Sequence, residues 1–142
     1  GTQLSMVRAR NLSDDGYLVF VPPDRGRVSA TYTHAVPGSE DKIYTSVSSS
    51  YVARQSRFDL AADLAPPPDA YALLDAEVGG HMQLGDKLAK LSLQGTNLLN
   101  ARHRDYTSIM RYFADQPGIE LMLKLSIVFN SPSIAAYQDT SR

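Results

Sequence analysis

The segment GIELMLKLSIVF, residues 118–129, decides the fold because its side chains alternate between apolar and more polar types. Its apolar set is Ile119, Leu121, Leu123, Leu125, Ile127 and Phe129, and its alternate set is Glu120, Met122, Lys124, Ser126 and Val128. Successive side chains of a strand point to opposite faces, whereas a helix would scatter these residues around its circumference. The pattern predicts a strand with one face in an apolar medium. That medium is either a protein core or a bilayer, which a strand crosses with about 9–11 tilted residues.

Composition narrows the functional classes. The chain has 142 residues and no cysteine, so it resembles one ordinary domain without disulfides or thiolate metal sites. Lys and Arg number 14 against 15 Asp and Glu, which gives a nucleic-acid-binding surface little support. No apolar run approaches the roughly 18 residues of a membrane helix, so any membrane span must be a strand. The opening GTQLSMVRAR has neither an initiator Met nor a targeting segment, and we read the chain as a fragment or a processed piece.

Five further segments carry strand signals. Four of them alternate regularly, and the fifth, TQLSMVRAR (2–10), alternates less cleanly; the four are GRVSATYTHAV (26–36), KIYTSVSSSYVA (42–53), YALLDAEVG (71–79) and KLAKLSLQGTN (87–97). In each, one face is mainly apolar and the other carries polar side chains, among them Ser46, Ser48, Asp75, Glu77 and Lys90. The polar set is unsuited to a packed core and fits a wide, wet or plugged interior. With residues 119–129, these segments predict six strands.

The connections alternate between long and short. Long polar links span Asn11–Arg25, Arg54–Asp69 and Asn100–Gly118, and short turns are predicted at 37–39 and 80–86. If the strands are antiparallel neighbours, all long links lie at one end, as in transmembrane barrels with long extracellular loops. Aromatic residues near the predicted strand ends would form interfacial girdles. They are Tyr32, Tyr44, Tyr51, Tyr71 and Phe129.

Four short motifs follow one another along the chain. Pro22, Pro23 and Arg25 precede a strand, Asn97-Leu98-Leu99-Asn100 closes the penultimate strand, and Pro117-Gly118 opens the last strand, which ends in Phe129. In this order and spacing, residues 2–129 resemble the C-terminal part of a TonB-dependent outer-membrane receptor. The resemblance implies an all-β fold in which residues 1–129 form about six antiparallel up-and-down strands, the last portion of a transmembrane barrel of about 22 strands around a plug. Residues 130–142, NSPSIAAYQDTSR, extend beyond the family's usual terminal aromatic residue and are predicted to be a flexible polar tail.

The resemblance also implies a function. Such receptors lie in the bacterial outer membrane and import a scarce nutrient, such as a metal chelate or siderophore, cobalamin or an oligosaccharide, with energy supplied through TonB. No bond of the cargo is broken, so we predict no enzyme activity, no catalytic residue, no metal site and no cofactor. The implied partners are the remaining barrel strands and plug of the same receptor, TonB through that plug, outer-membrane lipid and lipopolysaccharide, and the small-molecule cargo. No nucleic-acid partner is expected.

The link RHRDYTSIMRYFADQPG (102–118) is the predicted ligand-binding loop. Its cations and aromatic rings suit an anionic, partly aromatic ligand such as a ferric chelate. The candidate contacts are Arg102, Arg104, Tyr106, Arg111 and Tyr112. In the alternative interpretation, these side chains pair with neighbouring loops or with lipopolysaccharide phosphates.

Two other sets of polar residues are interpreted as structural. His34, His81 and His103 lie on three different segments without metal-ligand spacing, so we predict that they are solvated or hydrogen-bonded. Asp75 and Glu77 share one face of one strand without a nearby nucleophile, and we interpret them as part of a polar interior wall and not as an acid–base pair.

Two other classes of protein remain open. One is a small soluble β-barrel or sandwich that binds an apolar ligand and lines its core with residues 119–129. The other is an interaction scaffold without transport. Detergent dependence and the direction of Leu121, Leu123 and Leu125 separate a membrane wall from a soluble core. A six-stranded piece in lipid would need the missing strands of its receptor, because lipid cannot satisfy two unpaired sheet edges.

Overall fold

A computed structural model describes residues 1–13, 16–39, 41–85 and 87–128. It contains one antiparallel sheet in which every strand pairs with its neighbour in the chain. The strands are β1 (Thr2–Ser5), β2 (Arg25–Ala35), β3 (Lys42–Val52), β4 (Tyr71–Leu84), β5 (Lys87–Thr96) and β6 (Glu120–Val128). Six antiparallel up-and-down strands are therefore confirmed. β1 and β6 form the two edges, so the described residues make an open sheet.

The register gives the sheet one continuous apolar face. Ala30 pairs with Val47, Val47 with Ala76, Ala76 with Gly95, and Gly95 with Leu121. Because paired residues share a face, the apolar sets of five strands join. This face, called the apolar face below, includes Val28, Tyr32, Ile43, Tyr51, Leu74, Val78, Leu91, Leu93, Leu123, Leu125 and Ile127. Among the described strands its one Lys, Arg, Asp or Glu is Lys87, beside the β4–β5 turn.

Most of the apolar face is uncovered in the described part of the chain, apart from Gly95, against which Leu98 packs, and the small Ala89. Leu121 and Leu123 are 72% and 71% exposed, and few apolar side chains of the described residues are buried: Val52, Ala89, Tyr106 and the prolines Pro23 and Pro67. On β4 the apolar face runs from Ala72 to Met82. That is about 34 Å along a strand, or about 26 Å in height at a tilt of about 40°.

The opposite face, called the polar face, is held together by side-chain hydrogen bonds between strands. Arg27 donates to Ser48 Oγ at 2.7 Å, and Lys124 donates to Gln94 Oε1 at 2.6 Å. The predicted girdle is wrong for Tyr44 and Tyr71, since the register places both on the polar face. Tyr32 and Tyr51 lie exposed on the apolar face, and Phe129 and the predicted tail 130–142 lie outside the described residues.

Two strand boundaries differ from the sequence prediction. β1 ends at Ser5, well before residue 10, and β4 continues to Leu84, so the turn predicted at 80–86 begins only at Gly85. Gly79 lies inside β4, where the Tyr44 side chain leaves no room for a larger residue; a Cβ on Gly79 would lie 2.6 Å from Tyr44 Oη. This glycine therefore marks a close contact and not a turn.

The three long connections leave the sheet at one end. Residues 6–24, 53–70 and 97–119 form the first, second and third loops, and the short turns 36–41 and 85–86 lie at the other end. The pairs Ser5–Arg25, Arg25–Val52 and Val52–Tyr71 bring the bases of the first two loops together. The alternation of long and short connections thus gathers the loops into one cluster.

Candidate functional site

The three loops meet at a buried ion pair. Arg111 lies in a 3₁₀-helix of the third loop, Ile109–Tyr112, and is only 2% exposed. Its guanidinium pairs with the carboxylate of Asp63 in the second loop and also donates to Tyr112 Oη at 2.7 Å. A buried cation is costly unless it is paired and hydrogen-bonded, so Asp63 is what allows Arg111 to be buried.

Aromatic rings enclose this pair. The Arg111 guanidinium lies 4.5 Å from the ring centre of Tyr106, 4.2 Å from that of Tyr112 and 5.6 Å from that of Phe20 in the first loop. Such distances are within the range of cation–π attraction. The hydroxyls of Tyr106 and Tyr112 donate to Asp63 at 3.1 and 2.6 Å. Phe20, Asp63, Tyr106, Arg111 and Tyr112 together form what we call the loop clamp.

The protonation states of the loop clamp follow from these contacts. Burial works to raise the pKa of Asp63, but hydrogen bonds from Tyr112 and Arg111 outweigh burial and leave that pKa below its ordinary value. Burial, followed by the hydrogen bond to Asp63, raises the pKa of Tyr106 to about 12. At neutral pH the clamp therefore holds an ionised carboxylate and a neutral phenol donor.

A second set of contacts joins the first and second loops. Asp24 accepts from Arg8 at 2.6 Å and from Arg57 at 3.2 Å. The hydrogen bond from Arg8 is the main reason why the pKa of Asp24 is lowered. Gln55, only 2% exposed, donates to the Val21 carbonyl at 2.8 Å. The segment around the Pro-Pro-x-Arg motif is thus fixed to the second loop.

The Asn-Leu-Leu-Asn and Pro-Gly motifs close the base of the third loop. Asn97 Nδ2 donates to the carbonyls of Ala101 and Pro117 at 3.0 and 3.1 Å, and its Oδ1 accepts from the Ala101 amide at 2.9 Å. Asn97 and Asn100 have positive φ of 50° and 51°, a conformation that asparagine tolerates better than most residues. A Cβ at Gly118 would lie 2.5 Å from Asn100 Oδ1, so the two motifs fit closely together.

The predicted ligand contacts fall into two groups. Tyr106, Arg111 and Tyr112 belong to the loop clamp, where they contact neighbouring loops as the alternative interpretation describes. Arg102 and Arg104 lie outside it and share Asp115, at 3.0 and 2.6 Å. The Arg102 side chain is 89% exposed. Ligand contact stays a prediction for all five residues, and Arg102 is the most accessible of them.

A cavity of about 470 Å³ lies on the polar face beneath the third loop. Strand residues, among them Arg25 and Tyr71, form one side, and His103, Asp105 and Gln116 of the third loop form the other. The Tyr71 and His103 rings pack with centroids 4.4 Å apart. The lining of this cavity comes from segments far apart in the sequence, so the cavity could not be predicted from local patterns. The one available signal was the charged pair Arg25 and Arg27 at the start of a strand.

The other polar candidates have structural contacts. Asp75 accepts from the Asn97 amide at 3.1 Å and lies 3.8 Å from the Arg27 guanidinium, and Glu77 accepts from Tyr44 Oη at 2.6 Å. His103 Nδ1 lies 3.1 Å from the Ala101 carbonyl. Within the described ranges no group of three or more His, Asp or Glu side chains converges as metal ligands.

No family model matches the chain, and neither curated proteins nor solved structures give a significant match. Its function must therefore be inferred from its own residues. Among the described residues, no helix has both the length and the apolar character needed to cross a membrane.

Proposed function

We propose that this chain is the C-terminal portion of the barrel of a TonB-dependent active transporter in the bacterial outer membrane. The apolar face carries the proposal, because it crosses five strands and leaves Leu121 and Leu123 about seven-tenths exposed. A face of this extent is unusual on a protein surrounded by water. Its estimated height of about 26 Å matches the apolar band of about 25 Å on membrane barrels.

The polar face supports the same proposal. Arg27, Asp75, Glu77, Lys90 and Lys124 all lie on it, opposite the uncovered leucines. Charged side chains on the inner side of a barrel wall face water or a plug, which hydrates or pairs them. One sheet with these two faces suits a wall between hydrocarbon and a polar interior.

The two sheet edges bear on the partners. β1 and β6 each present unpaired backbone groups along one side, which a bilayer core cannot satisfy. In the proposed receptor they pair with the remaining barrel strands. A plug in the polar interior would engage TonB. A small soluble barrel would instead need Leu121, Leu123 and Leu125 to converge on an enclosed centre, whereas all three are exposed here.

The loop cluster would lie at the extracellular end. The exposed Arg102 and the partly exposed Arg104 would then be accessible to an arriving cargo. The cargo in this proposal is a metal chelate or siderophore, cobalamin or an oligosaccharide, and the protein carries out no covalent chemistry and needs no cofactor. Energy comes from the inner membrane through TonB.

Gene deletion in the native bacterium tests this proposal. We expect the gene product in the outer-membrane fraction, extracted only with detergent. Deletion should abolish uptake of at least one radiolabelled cargo among a ferric chelate, cobalamin and an oligosaccharide. A protonophore should abolish the same uptake in the parent strain, while passive entry of a small sugar serves as the control. A product released without detergent, or unchanged uptake of all three cargoes, would contradict the proposal.

A further inference from the structure

The cavity beneath the third loop has the size of a small-molecule site. Its volume of about 470 Å³ falls within the range of roughly 300–1,000 Å³ that is typical of ligand pockets. It lies between the polar face and the third loop, whose ends are tied by Asn97. The cavity therefore has two walls that are held in place independently of any ligand.

One cation in the cavity is uncompensated. Arg25 is half-buried, and its guanidinium makes no ion pair or hydrogen bond with any residue of the described ranges. Arg27, which lines the same cavity, differs because it donates to Ser48 and pairs with Asp75 at 3.8 Å. Arg25 is thus the positive group that is free to bind a ligand.

One anion in the cavity is also uncompensated. Asp105 is half-buried, and its Oδ1 accepts from the amide and the hydroxyl of Thr107 at 2.8 and 2.7 Å. These bonds orient the carboxylate. In the described structure its Oδ2 has no partner, and the Asp105 side chain forms no ion pair, not even with Arg25. The cavity therefore contains one unpaired charge of each sign.

These charges select the ligand's chemistry. A guanidinium binds a carboxylate through two parallel hydrogen bonds, and a carboxylate accepts well from an ammonium group. A dianion would be repelled by Asp105 and a dication by Arg25. A ligand that carries one group of each sign satisfies both side chains.

The remaining lining residues narrow the class further. The side-chain amides of Gln3 and Gln116 make no hydrogen bond to another described residue, so they can bind peptide groups. The packed Tyr71 and His103 rings offer apolar area beside them. We propose that this cavity binds a small zwitterion of the amino-acid or short-peptide class, with Arg25 holding its carboxylate and Asp105 its ammonium group.

Binding can be tested without assuming transport. Binding of the zwitterion is independent of the proposed function; only the idea that the zwitterion is a transported cargo rests on it. Alanylphenylalanine is titrated by calorimetry into the purified full-length protein in detergent, beside its N-acetyl and C-terminal amide derivatives. We expect the free dipeptide to bind and each derivative to bind at least about tenfold more weakly, since each loses one charge-assisted contact.

Two variants assign the charges to residues. Arg25→Gln should weaken binding of the free dipeptide about tenfold or more and leave the affinity for the amide derivative unchanged. Asp105→Asn should also weaken binding of the free dipeptide about tenfold or more, and it should leave the affinity for the N-acetyl derivative unchanged. The control is Arg54→Gln, which changes an exposed second-loop arginine that pairs with Asp69. It should change none of these affinities.

Several outcomes overturn the inference. They are no binding of the dipeptide, equal affinity for all three compounds, and variants that bind as the parent protein does. The derivatives test the parent protein directly, so a poorly folded variant does not block the experiment. If binding fails while deletion still abolishes nutrient uptake, this site is wrong and transport stands. If binding persists in a protein whose deletion affects no uptake, the transport proposal fails instead.

Discussion

The sheet and the loops of this chain bury opposite kinds of side chain. Leu121 and Leu123 of β6 are 72% and 71% exposed, whereas Asp63 and Arg111 in the loops are 7% and 2% exposed. In a water-soluble domain the leucines would be inside, and charged residues would seldom be fully buried. The sheet thus leaves apolar side chains uncovered, whereas the loops contain a polar core of their own. The proposed bilayer surroundings of the sheet would account for the first half of this contrast.

This contrast affects how a ligand would be bound. Loops that order only on binding lose conformational entropy at that moment, which weakens affinity. Here the clamp and the Asn97 contacts hold the third loop against the second loop and the sheet. Arg102, Arg104 and the cavity walls are therefore presented on a framework that is already ordered.

Breaking the loop clamp should have the largest effect. Arg111→Met replaces the guanidinium with an unbranched apolar side chain of similar length, and it leaves Asp63 buried without its cation. We expect a loss of about 3–5 kcal/mol in the local stability of the second and third loops, as for other buried pairs that lose one partner. Hydrogen exchange of the full-length protein, followed by mass spectrometry, measures this as faster exchange of amides in 53–70 and 97–119.

The control is a surface ion pair. Arg54 pairs with Asp69 at 3.3 Å, and the Asp69 side chain is 92% exposed. Arg54→Met should lower the free energy of loop opening, as measured by hydrogen exchange, by less than about 1 kcal/mol, as is usual for exposed pairs. Equal effects of the two substitutions, or faster exchange spread evenly over the sheet, would show that the clamp does not hold the loops.

The two faces of β6 allow the next test. Leu123 and Met122 are adjacent and well exposed, at 71% and 54%, but lie on opposite faces. In full-length protein folded into lipid vesicles, Leu123→Arg should cost about 2–4 kcal/mol, because the proposed barrel would hold the new charge in hydrocarbon. Met122→Arg should cost much less, since in the proposed barrel this position would face the polar interior. Reversible denaturant unfolding measures both, and equal costs would mean that neither face meets lipid.

The faces of the sheet could be predicted from sequence because alternation is a local property. The period-two pattern assigned Val47, Leu93 and Leu123 to one surface, and the register joins them as expected. The loop clamp was not predicted because Arg111 and Asp63 lie 48 residues apart. The local sequence, arginine followed by tyrosine, is the same whether the arginine contacts a ligand or forms a buried ion pair, so it cannot distinguish the two.

Two other misses have physical reasons. The cavity depends on Arg25 at the start of β2 and on Asp105 in the third loop, which come together only after the sheet forms. The length of β4 was underestimated because Gly79 and Gly80 together are a normal turn signal. In the structure Gly79 pairs with Tyr44 of β3 and Ser92 of β5, and the Tyr44 side chain occupies the space that a Cβ would need.

These adjacent glycines provide the test with the smallest expected effect. A Cβ on Gly79 would lie 2.6 Å from Tyr44 Oη and 2.8 Å from Ser92 Cβ, whereas on Gly80 the nearest atom would be the Lys42 carbonyl oxygen at 3.4 Å. Gly79→Ala should therefore cost about 1–3 kcal/mol through overpacking, and it should displace Tyr44 from Glu77. Gly80→Ala should be near neutral, because the more restricted unfolded chain offsets a small contact strain.

Denaturant unfolding in the same vesicles measures both glycine variants. In a Tyr44→Ala background, Gly79→Ala should cost less than in the parent protein, since the ring that it displaces is gone, although the contact with Ser92 persists. Equal costs for Gly79→Ala and Gly80→Ala would contradict close packing on the polar face. They would then indicate that the sheet tolerates side chains equally on both surfaces, against the contrast between an uncovered apolar face and a polar face that is ordered by its own contacts.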